Sequence, residues 1–172
     1  MKNLLLFCVC LQLFLSCKTE TSSNKTGVFE HEQFTFEYAP DWSITDEDPM
    51  EEGLFFVSIE KNGFDSSGLL ALTTITDELD LDEAIALNLE QLATNPVVND
   101  LDYESIMDAS YNNNEARKIN FTFSTLGIKH QGSILAFNKN DKGFILLKQE
   151  ALEDIKHNDA GFKIIESSFT VK

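Results

Sequence analysis

An acidic run between two β-prone segments carries the residues best suited to hold an ion. Asp46, Asp48, Glu51 and Glu52 follow one another closely around Pro49. Carboxylate oxygens are the ligands that hard cations such as Ca²⁺ and Mg²⁺ prefer in proteins. These four residues are therefore a candidate weak cation site in a predicted acidic loop. Charge runs in loops are also typical of a solvated surface, and that simpler interpretation stays open.

The three histidines do not have the spacing of a metal site. His31, His130 and His157 are distant in sequence, and Thr35 stands where a zinc-protease motif beginning at His31 would need its second histidine. A zinc site would have to be assembled by folding from distant segments. We expect the histidines to lie at the surface or to make hydrogen bonds, and we expect neither a metal nor a cofactor.

Nucleophilic catalysis also lacks a local signature. The segment from Gly63 to Gly68 contains two serines but not the Gly-x-Ser-x-Gly elbow, and no phosphate-binding loop or dinucleotide fingerprint is present. A Ser-His-Asp set can still converge in space, because such triads are defined by geometry. We expect no catalytic residue and a non-enzymatic protein. A hydrolase with a spatially assembled site is the least favoured alternative.

One cysteine has the sequence context of covalent modification. An apolar run from Leu4 to Leu15 is followed by Ser16-Cys17. The run has the length of a signal-peptide core and is too short to cross a bilayer of about 30 Å. A small residue before a cysteine at this place is what lipoprotein signal peptidase cleaves, although Phe14 stands where Leu, Val or Ile is usual. The pattern predicts a signal peptide over residues 1–16 and acyl chains, such as palmitate, on Cys17. The alternative is an ordinary secretory signal.

Acylation of Cys17 would leave the mature chain without a free thiol. The other two cysteines, Cys8 and Cys10, lie in the predicted signal peptide. No internal disulfide, thiol catalysis or cysteine metal site is then expected. Two or three acyl chains, at about 0.8 kcal/mol per buried methylene, make membrane attachment persistent. The polar residues that follow predict a flexible tether over 17–27, and residues 28–172 suit a single domain.

The charge balance limits the partners that this chain can have. It carries 29 acidic and 13 basic residues, a net charge of −16. Such a field repels phosphate backbones, so we expect no nucleic-acid binding, and it repels anionic lipid headgroups too. The lipid on Cys17 would then do the anchoring while the domain stands off the membrane. The tether has few acidic residues, so the outer membrane facing the periplasm is favoured, with the cell surface as the alternative.

The spacing of apolar residues predicts one long helix over 81–95. Asp80 is a good N-cap, Glu83 stands in a capping-box position, and Asn95-Pro96 is a stop signal. A helical wheel places one apolar face along the segment: Leu81, Ala84, Ile85, Leu89, Leu92 and Ala93. A second, short helix is predicted over 159–167, with Asn158 or Asp159 as its cap.

Most of the remaining chain alternates apolar and polar residues with the period of β-strands. Phe55, Val57 and Ile59 are one example, and Val97 to Asp102 is expected to be a connector. Three late strands are separated by short turn sequences, which is typical of an antiparallel meander. The expected fold class is α+β, with a mainly antiparallel sheet of about six to seven strands.

The order of these elements resembles a known family. A strand leads into Tyr38-Ala39-Pro40-Asp41-Trp42, and a terminal apolar helix runs into Ile164-Ile165-Glu166-Ser167-Ser168-Phe169. From Phe29 to Val171 the chain resembles the PsbP-like (Mog-type) domains, which are α/β/α sandwiches. Asp41 stands where that family often has Gly, with Ala39 inserted, and Asn113-Asn114 replaces a usual Gly, which Asn can do in a left-handed conformation.

The resemblance implies an architecture rather than an activity. Members of the family are mostly non-enzymatic: extrinsic photosystem subunits, a Ran-binding protein and bacterial envelope lipoproteins. No motif here supports the photosystem or the Ran function, and one fold hosts many functions. We therefore expect a non-catalytic, lipid-anchored accessory module that contacts an unidentified envelope protein. The alternative, suggested by the 14 phenylalanines, is a carrier whose groove between sheet and helix takes an apolar ligand or peptide.

Overall fold

The computed structural model describes residues 25–51, 53–64 and 66–172. In these residues the chain forms two helices, α1 and α2, and eleven strands, β1 to β11. Their bounds in chain order are β1 Gly27–Glu30, β2 Phe34–Tyr38, β3 Trp42–Glu51, β4 Leu54–Lys61, β5 Leu69–Ile75, α1 Leu81–Thr94, β6 Asn99–Tyr103, β7 Met107–Tyr111, β8 Asn114–Thr125, β9 Ile128–Lys139, β10 Lys142–Ala151, α2 Ile155–Ser168 and β11 Thr170–Val171.

The strands form two antiparallel sheets. The main sheet has eight strands in the order β3-β4-β5-β10-β9-β8-β6, and β7 pairs with the first part of β8. The second sheet has the order β1-β2-β11. The predicted α+β class is confirmed. The main sheet is larger than predicted because β6 forms where a connector was expected, by pairing with the end of β8.

The second sheet and α2 cover one face of the main sheet, which we call the α2 face. Phe55, Val57 and Ile59 of β4 point to this side, as their alternation predicts. They pack against phenylalanines of the second sheet, of which Phe34 and Phe36 are almost completely buried. This larger core lies mainly over β3, β4, β5 and β10, and it extends to Phe137 of β9 and Ala116 of β8.

Helix α1 covers part of the opposite face, which we call the α1 face. Its buried residues Ala84, Ile85 and Leu89 pack on β8 and β9. The helix begins as predicted, because the Asp80 carboxylate accepts hydrogen bonds from the backbone N–H groups of the first turn. The predicted helix at 81–95 is confirmed within one residue.

The C-terminal helix is longer than the sequence suggests. It starts at Ile155 rather than at residue 159, and Asn158 is completely buried inside it instead of capping it. Asn158 lies beside Gly68, and Gly161 lies against the indole of Trp42, so tertiary packing rather than a local cap fixes this first turn. Among the described residues, neither helix has the length and hydropathy of a membrane-crossing segment.

The predicted acidic loop is wrong: residues 42–51 form β3, a strand at the edge of the main sheet. Asp46 and Asp48 pair with Ser58 and Phe56 of β4, and the register shifts between Ile44 and Asp46 and again between Asp48 and Glu51. An edge strand tolerates Pro49 because one side of its backbone has no sheet partner to satisfy. Acidic side chains on such an edge also discourage pairing with another chain.

Candidate functional site

Helix α1 leaves about half of its sheet face uncovered. From β3 to β6 the main sheet has six strand spacings of about 4.8 Å, or close to 29 Å, whereas a helix is only about 10–12 Å across. Helix α1 lies over β8 and β9 and touches β6. Within the described part of the chain, no second helix covers the α1 face of β3, β4, β5 and β10.

Two adjoining cavities occupy this uncovered area, with volumes of about 620 and 580 Å³. Both are lined by Ala71 of β5 and Leu147 of β10, so they run into each other along the flank of α1. We call the combined depression the apolar trough. Its apolar lining residues are Leu54, Phe56, Phe64, Leu69, Ala71, Ile75, Leu79, Ala84, Leu87, Leu92, Val97, Val98, Phe123, Leu126, Ile128, Ile145, Leu147 and Ala151.

The trough gathers much of the exposed apolar surface of the described residues. Leu87 on α1 is 53% exposed, and Leu126 in the turn between β8 and β9 is 92% exposed. Phe64, Val97 and Ile128 line the trough and are exposed as well. Contiguous apolar surface of this kind marks interaction sites, whereas single exposed apolar residues need no explanation.

The uncovered part of the α2 face gives the contrast. It forms a cleft of about 600 Å³ over β8 and β9 that is lined by polar side chains, among them Lys118, Asn120, Thr122, Gln131 and Ser133. An antiparallel sheet commonly turns a polar face to water. The cleft on the α2 face fits that rule, and the apolar trough on the α1 face does not. Of these two surfaces, the trough is therefore the one suited to binding a partner.

Two charged side chains in the cleft on the α2 face, Glu150 and Lys148, have partners within the chain. Glu150 is buried, and one of its carboxylate oxygens accepts a hydrogen bond from the Gln131 amide at 3.1 Å. The Lys148 ammonium lies 2.8 Å from the carboxylate of Glu166 and over the ring of Phe162. These contacts tie β10 to β9 and to α2, which is a structural role.

The rim of the trough is acidic. Asp46 and Asp48 of β3 line one end, and Glu153 and Asp154, which follow β10, line the other. In the described part of the chain, no Lys or Arg lines either cavity. The trough thus combines an apolar floor with negative charge at both ends.

The candidate cation site shares this rim. Asp46 and Asp48 are exposed, while Glu52 and the side chain of Glu51 lie outside the described residues. Within residues 25–51, 53–64 and 66–172, no three His, Cys, Asp or Glu side chains come together as a metal site. Cation binding by the four residues stays a prediction.

The three histidines lie on separate elements. His31, between β1 and β2, stacks on Phe55 with ring centroids 4.0 Å apart, and burial lowers its pKa below the ordinary value. His130 of β9 stacks on Phe123 and lies in the trough wall, with Nδ1 3.1 Å from the Ile128 carbonyl oxygen. His157 lies on the outer side of α2 and is exposed.

One serine has a carboxylate and a histidine nearby, in an order that differs from a catalytic triad. The Ser67 hydroxyl donates to Asp154 at 2.6 Å and accepts from the Ala151 backbone N–H at 2.8 Å. The other oxygen of Asp154 lies 3.9 Å from Nδ1 of His157. In a triad the imidazole stands between hydroxyl and carboxylate, because it must take the hydroxyl proton. Here the carboxylate is in the middle, and the contacts fasten the loop before β5 to the end of β10.

Sequence reasoning did not identify the floor of the trough, although a signal was present. Leu69-Leu70-Ala71-Leu72 is an unbroken apolar run, and Ile145-Leu146-Leu147 is another. Strands that are covered on both faces have such runs, whereas strands with one wet face alternate. The two runs, on β5 and β10, therefore indicate that both faces of these strands are suited to being covered.

The predicted lipid attachment cannot be placed on the fold. Cys17 and the predicted signal peptide lie outside the described residues. Strand β1 begins at Gly27, so the described fold starts close to the predicted end of the tether.

Comparison with solved structures identifies the fold. The chain resembles the solution structure of cyanobacterial PsbP (CyanoP) from Synechocystis sp. PCC 6803, with a TM-score of 0.62 and 11% identity over 92% of this chain and 99% of that one. The domain has the PsbP-like fold. The sequence matches no protein-family model and no curated protein.

Two further bacterial proteins have similar solved structures. LpqN of Mycobacterium tuberculosis, described as involved in cell envelope biogenesis, gives a TM-score of 0.54 at 11% identity, covering 86% of this chain and 91% of that one. A protein of Bacteroides thetaiotaomicron VPI-5482 gives 0.52 at 12% identity, covering 84% of this chain and 48% of that one. At these identities the likeness establishes the fold alone.

Proposed function

We propose that this PsbP-like domain is a non-catalytic module of the cell envelope whose apolar trough binds a segment of another envelope protein. The observation that carries the proposal is the apolar area of the α1 face beside α1, whereas the uncovered area of the α2 face is polar. Apolar surface left in water costs free energy at about 25 cal/mol per Å². A partner that covers the trough recovers that free energy as binding energy.

Two observations favour an envelope location. Ser16-Cys17 after the apolar N-terminal run predicts a lipid anchor, for which the outer membrane facing the periplasm is favoured. The structural likeness to LpqN, whose description concerns cell envelope biogenesis, is compatible with that location. An acidic domain held by lipid alone stays away from anionic headgroups, which leaves the trough accessible to proteins.

The anchor is tested by metabolic labelling with a palmitate analogue. The wild-type chain should be labelled, and Cys17→Ala should not be labelled. Equal labelling of both chains, or no labelling of either, would remove the lipid anchor from the proposal while leaving the trough argument unchanged.

The docking function is tested by photo-crosslinking in cells that express the chain at its native level. A photoreactive phenylalanine analogue replaces Leu87, which lies on the α1 side of the trough, or Thr122, which lies in the cleft on the α2 face. The Leu87 position should give one reproducible protein adduct, and the Thr122 position should not give that adduct. The same adducts from both positions, or none from Leu87, would contradict docking in the trough.

A small apolar ligand is the second candidate occupant. Each cavity of the trough, at about 620 and 580 Å³, falls in the range of about 300–1,000 Å³ that is common for small-molecule sites. Native mass spectrometry of the chain isolated from its own cells tests this candidate. A ligand of constant mass that Ala71→Trp removes would support it, and a ligand-free wild-type chain would exclude it.

A further inference from the structure

We propose that the segment bound in the trough is a cationic amphipathic α-helix of the partner protein. It lies beside α1 and completes the helical layer on this face of the main sheet. This inference rests on the docking function proposed above and adds the chemistry of the occupant.

The trough has the width of one helix. From β10 to β3 the sheet advances three strand spacings, about 14 Å, and a helix with its side chains is about 10–12 Å wide. An added strand has no place on this floor, because β4, β5 and β10 already have hydrogen-bonded neighbours on both edges. Only side chains face the occupant, so binding must rely on side-chain packing.

The floor has a low centre between two higher walls. Strand β5 supplies the small residues Ala71 and Thr73 in the middle. Phe56 of β4 pairs with Thr73 on one side, and Leu147 of β10 pairs with Ala71 on the other. A helix that presents apolar residues at positions i, i+3, i+4 and i+7 places one row of side chains along such a floor.

The ends of the trough select the charge of the occupant. Asp46 and Asp48 at one end and Glu153 at the other are exposed to water, and no basic residue among the described lining residues offsets them. A fatty acid or an anionic phospholipid would bring its own negative charge to this rim. Lysine or arginine residues flanking an apolar helical face would instead be attracted to it.

The test uses designed 15-residue peptides and the mature chain with Cys17→Ser, which cannot be acylated. One peptide has Leu and Lys in amphipathic helical order, a second has the same residues in scrambled order, and a third has Glu in place of Lys. Fluorescence anisotropy of the labelled peptides measures affinity. We expect the amphipathic Leu/Lys peptide to bind about tenfold more tightly than either of the others. A tenfold ratio of affinities corresponds to about 1.4 kcal/mol of binding free energy.

Two pairs of variants separate docking in the trough from general attraction to an acidic protein. Ala71→Trp fills the floor and should weaken binding of the Leu/Lys peptide about tenfold, whereas Thr122→Trp on the α2 face should leave it unchanged. The double variant Asp46→Asn, Asp48→Asn should weaken binding severalfold and reduce its salt dependence. The pair Asp100→Asn, Asp102→Asn, on β6, removes the same charge elsewhere and should have a smaller effect.

Three results would overturn the inference: equal binding of the Leu/Glu peptide, insensitivity to Ala71→Trp, or displacement of the Leu/Lys peptide by an equal concentration of oleate. If Leu87 still gives a protein adduct in cells while the peptides show any of these results, the docking function stands and only the cationic helix is excluded. If the adduct is absent as well, both proposals are excluded.

Discussion

Two neighbouring phenylalanines on β4 test whether the α1 face of this strand belongs to the folding core. Phe55 faces the α2 side and is 8% exposed, in contact with the rings of Phe29, Phe34 and His31. Phe56 is the next residue and faces the trough. The same substitution, Phe→Ala, can therefore be compared at two adjacent positions whose side chains point to opposite faces of the main sheet.

The two substitutions should differ in cost because only one leaves an enclosed cavity. Phe55→Ala removes ring contacts inside the closed core. Such a truncation lowers the free energy of unfolding by about 3–5 kcal/mol, which includes the lost transfer free energy and the cost of the cavity. Phe56→Ala opens the trough floor to water, so no enclosed cavity remains and only part of a transfer free energy is lost, about 1–2 kcal/mol. We expect a difference of about 2–3 kcal/mol between the two variants.

Urea unfolding of the Cys17→Ser chain measures both free energies of unfolding. The fluorescence of Trp42, the single tryptophan of the chain, reports the transition because its ring is almost fully buried against Phe162. Equal slopes for both variants would show that the unfolded states are comparable. A loss for Phe56→Ala of about 3 kcal/mol or more, equal to that of Phe55→Ala, would refute the reasoning, since the α1 face of β4 would then be closed core rather than an open binding surface.

Three further predictions concern contacts elsewhere in the fold. Gly161→Ala should destabilise the chain by about 1–3 kcal/mol in urea unfolding, although Ala normally favours a helix, because the new methyl group meets the indole of Trp42; a more stable variant would contradict that contact. Asp80→Ala should lower the free energy of unfolding by about 1 kcal/mol, because two N–H groups of α1 lose their acceptor, and an unchanged stability would count against the cap. The pKa of His31 is lowered by burial, so the unfolded state binds its proton more readily and stability should fall as the pH drops below the ordinary histidine value of 6.5. His31→Phe keeps the ring on Phe55 and should flatten that fall between pH 7 and 5, roughly the range of histidine titration; an unchanged pH profile would contradict it.

The parts of the fold that the sequence predicted well are those specified by local signals. Asp80 and Asn95-Pro96 mark the two ends of α1 by hydrogen bonding and by steric exclusion, and neither depends on distant residues. The left-handed asparagines expected at Asn113-Asn114 lie one residue earlier: Asn112 and Asn113 have positive φ, at 48° and 63°, and Asn114 begins β8.

The parts that were predicted wrongly depend on contacts between distant segments. Strand β3 has exposed acidic residues and Pro49 in place of an apolar alternation, so only its pairing with β4 makes it a strand. The first turn of α2 was missed because Asn158 has the character of a cap, while packing beside Gly68 buries it within the helix.

The trough was predictable from the sequence only in part. The apolar runs at Leu69 to Leu72 and at Ile145 to Leu147 show that two strands have apolar residues on both faces. Their juxtaposition is not local, because β5 and β10 pair across the whole segment that contains α1 and the β6 to β9 strands. Which part of the sheet α1 would cover could therefore be learned only from the topology.

The accessibility of a single cysteine on the trough floor tests most directly whether the trough is occupied in the envelope. Residues 18–172 contain no cysteine, so Ala71→Cys introduces a unique thiol once Cys17 is acylated or, in the isolated chain, replaced by Ser; Ala160→Cys on the exposed side of α2 provides the control. With the isolated chain, a small maleimide should modify both thiols readily. In intact cells at native expression, the thiol at position 71 should react at least about tenfold more slowly while the thiol at position 160 reacts as before, a ratio that corresponds to about 1.4 kcal/mol of protection. Equal reactivity of the position-71 thiol in cells and in isolation would contradict the central claim that the apolar trough binds a partner.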